Sequence, residues 1–427
     1  MKILNYLFYN YVVLPLLYLF FQLLQIFNKK VKSAISDRKL LFLTLPDKIN
    51  NLKQGNKIIW FHSSSMGEFE QAKPIIEKLK QNDKISIFVS FFSPSGYNNS
   101  LKYSFADAIS YIPFDTVWNM KRFINMVKPD LAIFMRYDIW PNTIWELKKN
   151  NIPSFIVDAT MRADSKRKLP FSKGFHVDLY SAITLILTVS EADKKNFEDF
   201  EISSQKVTAV GDTRFDRVYQ KSLQAKDKKL FWDGMFANKK VVVLGSSWEA
   251  DEEVIIPAFL KLCKYDKDVI LIIVPHEPTI EHLERTESVL GNQVKHIRFS
   301  YLNNYTDEQI IIIDSIGILL TLYFYADIAY VGGSFKQGIH NVLEPAVYGI
   351  PVMFGPKIQT SQEAQILVQK GAGILVRDKM EAYKALRKLL TDKTYCESLG
   401  KIAGRYVSSN IGATDKIIHE VYKVLDK

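Results

Sequence analysis

KIIWFHSSSMGEFEQAKPIIEKLKQNDKISIFVSFF, residues 57–92, is a short apolar run, a stretch with apolar residues three and four apart, and a second apolar run. The outer runs, KIIWFHS and ISIFVSFF, are rich in β-branched and aromatic residues, as strands buried on both faces are. Strand, helix and strand in this order predict a parallel pair joined by a right-handed crossover. Working outward, LAIFMRY (131–137), PSFIVDA (153–159) and ITLILTVS (183–190) continue the strands, and WNMKRFINMVK (118–128) and SEADKKNFEDF (190–200) supply helices. The pattern predicts an α/β fold on a parallel sheet.

The pattern weakens through the charged segment 217–240 and then starts again. KVVVLGS, VILIIVPH, QIIIIDS, DIAYVGGS, IPVMFGP and AGILVR alternate with helical stretches up to an amphipathic C-terminal segment. A chain of 427 residues suits two cores. The expected layout is therefore residues 1–30 as an anchor, 31–220 as one Rossmann-like domain and 221–427 as a second that includes the terminal helix. Two such domains are expected to face each other across a cleft, with ligands at the carboxyl ends of the strands.

No charged residue lies between Ile3 and Asn28, a run long enough at about 1.5 Å per residue to cross roughly 30 Å of hydrocarbon. Tyr6, Tyr9 and Tyr11 are placed to meet lipid headgroups, and Pro15 is tolerated in such a segment. Lys29, Lys30, Lys32, Arg38 and Lys39 follow it while only Lys2 precedes, so a single span with the main body in the cytoplasm is favoured over a signal peptide or a surface-lying helix. The surplus of Lys+Arg (56) over Asp+Glu (46) favours anionic partners such as phosphates, acidic sugars or the charged face of a bilayer. Without a zinc-finger or RNA-binding signature it does not argue for nucleic acid. Cys263 and Cys396 are too few and too separated for a disulfide framework.

Glu68 stands near a helix start just after the first strand, where the helix dipole favours a carboxylate. A structural account competes: Ser65 caps the helix and Glu68 completes a capping box with it. In the second half Gly332, Gly333 and Ser334 end a strand, and a helix is expected from His340 through Asn341 and Glu344, with its N–H groups toward a phosphate. Glu344 is either a ribose ligand or a solvent-facing acid. Gly245-Ser246-Ser247 and the GDTRFD stretch with Arg214 offer more donors. His62, His276, His282 and His340 lack metal-site spacing, so no metal and no cofactor beyond a donor substrate is predicted.

Taken together, HSSSMGE (62–68), SFFSPSGY (90–97), IPFD (112–115), WPN (140–142), GDTRFD (211–216), GSSWEADEE (245–253) and VGGSFKQGIHNVLEP (331–345) resemble the 3-deoxy-D-manno-octulosonic acid (Kdo) transferase family. The resemblance implies a GT-B fold, CMP-Kdo as donor, a lipid A precursor such as lipid IVA as acceptor, and inverting displacement in lipopolysaccharide assembly. It implies Glu68 as general base. Arg214, Ser246, Ser247, Gly333, Ser334, Asn341 and Glu344 would then bind the donor, with Pro275 and His276 beside it. Ser64, Ser65, Gly67, Ser93, Ser95 and Asp138 fall on the acceptor or cleft side. Three positions depart from the family: Arg136 replaces an acid, His276 replaces an arginine, and Asp158-Ala159-Thr160 replaces Asn-Ala-Arg. A membrane-associated transferase using a UDP-sugar, or a catalytically silent lipid-binding protein, are the alternatives.

Overall fold

The computed structural model describes residues 3–426; Lys2, counted above among the flanking charges, lies outside them. The chain divides into two compact units, one of residues up to 217 together with 411 onward, the other of residues 218–410. Each carries a sheet of seven parallel strands.

The first unit is built on β1 (Lys57–Ser63), β2 (Ile85–Phe91), β3 (Ala108–Tyr111), β4 (Leu131–Met135), β5 (Ser154–Ala159), β6 (Leu185–Thr188) and β7 (Val207–Ala209), in the order β3-β2-β1-β4-β5-β6-β7. Alternation along β1 and β2 sends Trp60 and Phe88 into one core, and Ile59, Phe61, Ile87 and Val89 into the other. Both faces are covered, which is why the strands read as unbroken apolar runs. β3 and β7 fall outside the expected runs; both are short edge strands with no need of a two-faced apolar pattern.

The terminal helix, Ala413–Leu425, belongs to this first unit and not to the second domain in which sequence order places it. Ile417, Ile418 and Val421 enter the core beside Phe69 and Ile75. Asp216 fixes the helix start, its carboxylate accepting from Gly412 N (2.6 Å), Thr414 N (2.7 Å) and Thr414 Oγ1 (2.8 Å).

The N-terminal apolar helix runs Ile3–Phe27 and is long and apolar enough to cross a membrane. Its turn at Tyr9–Val13 is wide, with Leu14 N–H reaching Tyr9 O. That widening accommodates Pro15, whose ring would otherwise meet the carbonyl four residues back. One flank is docked on the first unit. Tyr9 Oη donates to Asp115 Oδ2 (2.9 Å), Asn10 Nδ2 to Asn142 Oδ1 (3.1 Å), and Phe21 packs on Phe92 and Phe114. Tyr9 is therefore buried and not at a headgroup, while Leu4, Phe8, Tyr11, Leu16, Leu19 and Leu23 on the other flank are exposed.

Asp115 also accepts from the backbone N–H of Asn142 and Thr143 and from Thr143 Oγ1. The IPFD and WPN stretches are thus tied by one buried carboxyl, which its burial pushes up to about 6 against those hydrogen bonds. The basic stretch after the apolar helix is itself helical, Lys29–Lys39 then Leu41–Ile49. Arg38 leaves the solvent-facing set expected of it: it donates to Ile112 O (3.0 Å) and lies over the rings of Phe92 and Tyr111.

The second unit is built on β8 (Lys240–Ser247), β9 (Val269–Pro275), β10 (His296–Arg298), β11 (Ile310–Ile312), β12 (Ile328–Val331), β13 (Val352–Phe354) and β14 (Gly373–Leu375), in the order β10-β11-β9-β8-β12-β13-β14. Val242 and Leu244 face one core, Val241 and Val243 the other. β10, again an edge, is the one strand here that the apolar runs miss. Cys263 is buried in the first of these cores and Cys396 packs half-buried beside it.

Asp216→Ala removes all three acceptor contacts at the terminal helix. It is expected to destabilise the protein by about 2–4 kcal/mol in denaturant melts and to open residues 409–426 to proteolysis. Unchanged melting and protection would show that the helix is held by its apolar face alone.

Candidate functional site

In each sheet the order reverses beside the first strand, between β1 and β4 and between β8 and β12. The crevice outside the carboxyl ends of such strands is where open α/β sheets bind ligands. In the first unit β1 ends at Ser63, and after two residues the helix Met66–Leu79 begins. Glu68 lies in its first turn, mostly buried, with Oε2 accepting from Ser64 N–H at 2.6 Å. Oε1 makes no hydrogen bond among the described residues.

The capping box is not formed. Ser65 sits at the cap with extended backbone but its side chain makes no cap bond, and Glu68 reaches one residue further back. Packing does not require glycine at 67, since an added Cβ would meet only Ser65 Oγ at 3.9 Å. Ser93 N–H donates to Ser64 O (2.9 Å), joining the β1 and β2 turns, and Ser93 Oγ caps the next helix through Gly96 N with Ser95 Oγ 3.2 Å away.

A hydrogen-bonded chain that sequence reasoning missed runs from β1 and β2 to the turn after β4. Trp60 Nε1–H donates to Ser90 Oγ (2.7 Å), and Ser90 Oγ stands 2.8 Å from His62 Nδ1. With the indole filling a lone pair of Ser90, its hydroxyl proton goes to Nδ1, which leaves His62 Nε2–H to donate to Asp138 Oδ2 at 3.0 Å. His62 is fully buried on β1 and Asp138 partly exposed after β4, so the contact crosses the switch point. The only signal for it in the sequence was a polar residue inside an apolar strand.

Three buried polar atoms without a partner among the described residues gather at the same rim: Ser63 Oγ, Arg136 Nε and Trp140 Nε1. Buried polar atoms are rarely left unpaired, and water or a ligand has to satisfy these three.

Arg214 lies in the first unit with its guanidinium on Asp212 (Nη2–Oδ2 2.6 Å, Nε–Oδ2 2.9 Å). Asp158, at one of the departures, accepts from Thr213 N–H and Oγ1–H, and burial together with the nearby Asp212 pushes its carboxyl up to about 7. That carboxyl holds the Asp212–Arg214 turn against β5.

In the second unit the structure brings Ser246, Ser247, Pro275, His276, Gly333 and Ser334 to the strand ends, but several are internally engaged. Ser247 Oγ donates to Glu252 Oε1 (2.7 Å), and Ser334 Oγ accepts from Gly355 N–H (2.6 Å). Gly332 has to be glycine, because an added Cβ would lie 2.2 Å from Ser246 O. Gly333, at φ +94°, gives its N–H to Asp251 Oδ2 (2.9 Å) and so does not present it to a ligand. The helix expected from His340 is only Leu343–Ala346, confined between Gly338 and Gly349, both at positive φ, and offers no N-terminal phosphate cradle. Asn341 is exposed and Glu344 half-buried; Asn341 Nδ2 donates to Glu344 Oε1 (3.2 Å), and burial pushes the Glu344 carboxyl up.

A second feature invisible to motif reading is a ring stack. His276 lies between Trp248 and His340, with centroids 4.8 and 4.3 Å away. Trp248 Nε1–H donates to His340 Nε2 (3.0 Å), which fixes that ring as the neutral acceptor. Burial, with His276 beside it, pushes His340 down to about 4. Among the described residues no group of three His, Cys, Asp or Glu gathers as a metal site.

Two doubly wound parallel sheets in one chain are the GT-B fold. The fold matches UDP-GlcNAc 2-epimerase from Neisseria meningitidis (17% identity, TM-score 0.61, 86% of this chain and 100% of that one) and MurG from Acinetobacter baumannii (13%, TM-score 0.55, 86% and 99%). Residues 38–217 match the family model of 3-deoxy-D-manno-octulosonic-acid transferase. The 3-deoxy-D-manno-octulosonic acid transferase of Aquifex aeolicus is 30% identical over 348 residues (80% of this chain, 89% of that protein), and that of Haemophilus influenzae 28% over 385 residues (86% and 87%). The chain belongs to the 3-deoxy-D-manno-octulosonic acid transferase family.

The His340 ring makes a pH prediction. Its folded value, about 4, lies below the ordinary 6.5, so the fold stabilises the neutral ring. That contribution is complete above about 6.5 and is lost as pH falls through the window to about 4. NMR titration is expected to find a ring midpoint near 4, and His340→Gln to flatten that part of the melting profile. A midpoint at or above 6.5 would contradict the geometry.

Proposed function

We propose that this glycosyltransferase moves Kdo from CMP-Kdo to a lipid A precursor such as lipid IVA, by direct displacement with inversion and with Glu68 as base. The observation that carries the reading is the Glu68 carboxylate: one oxygen is pinned by Ser64 N–H and the other has no hydrogen bond among the described residues, at the switch point of its sheet. A base needs this division, because one oxygen sets its orientation while the second keeps a lone pair for the incoming proton. A primary hydroxyl of the glucosamine disaccharide attacks the anomeric carbon of Kdo. Its proton passes to Glu68, the new C–O bond forms, and the bond to the CMP phosphate breaks with its electron pair leaving on that phosphate.

In this reading the donor is held by Ser246, His276, Asn341 and Glu344 in the second unit, with the cytosine against the ring stack of Trp248, His276 and His340. Arg214, oriented by Asp212, is the cation for the leaving phosphate. No cofactor beyond the donor is part of the reading.

We assign the protein to the cytoplasmic face of the inner membrane. The docked flank of the N-terminal helix supports an in-plane anchor over the single span that the sequence favours. A helix bonded to Asp115 and Asn142 at one end and packed on Phe92 further along would carry those polar neighbours into hydrocarbon if it spanned. Lys29, Lys30 and Lys32 then meet anionic headgroups.

Glu68→Gln is expected to lower Kdo transfer at least about 100-fold while leaving CMP-Kdo affinity and melting temperature unchanged. Near-normal turnover would remove Glu68 as base. Fluorophores on cysteines placed singly at Leu4, Tyr11, Leu16 and Leu23 in proteoliposomes are expected to show one common shallow depth to nitroxide-labelled lipids. A gradient deepest at mid-helix would establish a span instead.

A further inference from the structure

Arg136 follows β4 directly, in the left-handed region at φ +61°, with its N–H bonded to Val157 O at 2.7 Å. A non-glycine residue there costs of order 1 kcal/mol or more and is kept only where its surroundings hold it. Its Nε is buried without a partner among the described residues. The Arg136 guanidinium carbon lies 5.9 Å from the ring centre of Tyr137, and that of Arg167 lies 5.4 Å from the same ring. Two like charges gathered on one ring repel unless an anion joins them.

Tyr137 and Arg167 also line a cavity of about 420 Å³ together with Arg162 and Lys166. Of the acids, Asp164 alone lines that cavity, and it pairs with Arg162 at 3.1 Å. Among the described residues the Arg167 guanidinium donates to a neutral hydroxyl, that of Tyr180 at 3.3 Å. Three cations thus line this cavity against one carboxylate, and Arg136 reaches the Tyr137 ring that borders it. A second cavity, about 240 Å³, shares Tyr137 and Arg167 and continues past Asp138 and Trp140 to Leu17 of the apolar N-terminal helix. One end is cationic and the other apolar, joined at a tyrosine beside the His62–Asp138 contact.

We propose that Arg136, Arg162, Lys166 and Arg167 form a subsite for a phosphomonoester on the head of an amphiphilic acceptor, with an acyl chain of that acceptor leading along Trp140 toward the N-terminal helix. A dianionic phosphomonoester, which accepts several charge-assisted bonds, suits three lining cations with Arg136 beside them better than the single charge of a lipid phosphodiester does. The proposal rests on the reading of the chain as a lipid A precursor transferase, and the phosphate could come from that acceptor or from the bulk bilayer.

The test pairs binding with transfer. Arg162→Gln/Lys166→Gln changes two exposed side chains and should leave melting unaltered; Arg136→Gln is the second variant, checked by its own melting curve. With a detergent-dispersed tetraacyl glucosamine disaccharide 1,4′-bisphosphate, each is expected to raise KM and the dissociation constant about 10- to 100-fold with kcat little changed. With the same disaccharide stripped of phosphate, variant and wild type should coincide. An unchanged KM, or an equal loss on the phosphate-free acceptor, overturns the subsite. So does a loss confined to binding of phosphatidylglycerol vesicles, which would assign the cations to the membrane surface. If the wild type binds the bisphosphate in a phosphate-dependent way but transfers no Kdo, the subsite stands and the proposed function fails.

Discussion

Everything in this molecule depends on parallel pairing. When every strand of a sheet points the same way, all the strand-to-helix turns open on one rim, and both faces have to be covered by the returning helices. With the faces taken up largely by apolar residues, the rim is where polar side chains can gather. Ser63, Ser64 and Glu68 after β1, Ser93 and Ser95 after β2, Arg136 and Asp138 after β4, and Asp158 at the end of β5 all follow from this one constraint.

Within the rims, carboxylates divide by what they hold. Asp115, Asp216 and Asp251 each accept from two or more backbone N–H groups and serve as joints between loops and helix starts. Glu252 is likewise occupied, by Ser247, His282 and Thr286. Glu68 differs in accepting from one backbone N–H and leaving its other oxygen without a hydrogen bond among the described residues. A family motif mixes both kinds, so a residue inside it is as readily a brace as a reagent. The buried hydroxyls of Ser247 and Ser334 are braces by this measure, and the stacked rings of His276 and His340 remain among the groups that present a surface.

Strand order and the covered faces were legible because β-branched runs buried on two sides have no other use. The missed strands, β3, β7 and β10, are all short sheet edges, where one partner is absent and the pattern fades. The position of Glu68 after β1 was legible from strand-then-helix spacing alone. The His62–Asp138 contact was not, since it joins residues 76 apart that only the adjacency of β1 and β4 brings together. The ring stack similarly needs β8 beside both β9 and β12. Helix length after Gly338 was misjudged because periodicity continues there while two glycines at positive φ confine the chain.

The return of the C-terminal helix to the first unit makes residues 218–410 an insertion, flanked on both sides by segments of one core. During synthesis the inserted half has all its strands before the first half has its last helix. The enclosing half has to wait, its Phe69 and Ile75 face uncovered, until the closing segment has been made. The order of maturation therefore inverts the order of translation: the part made second is the first that can finish.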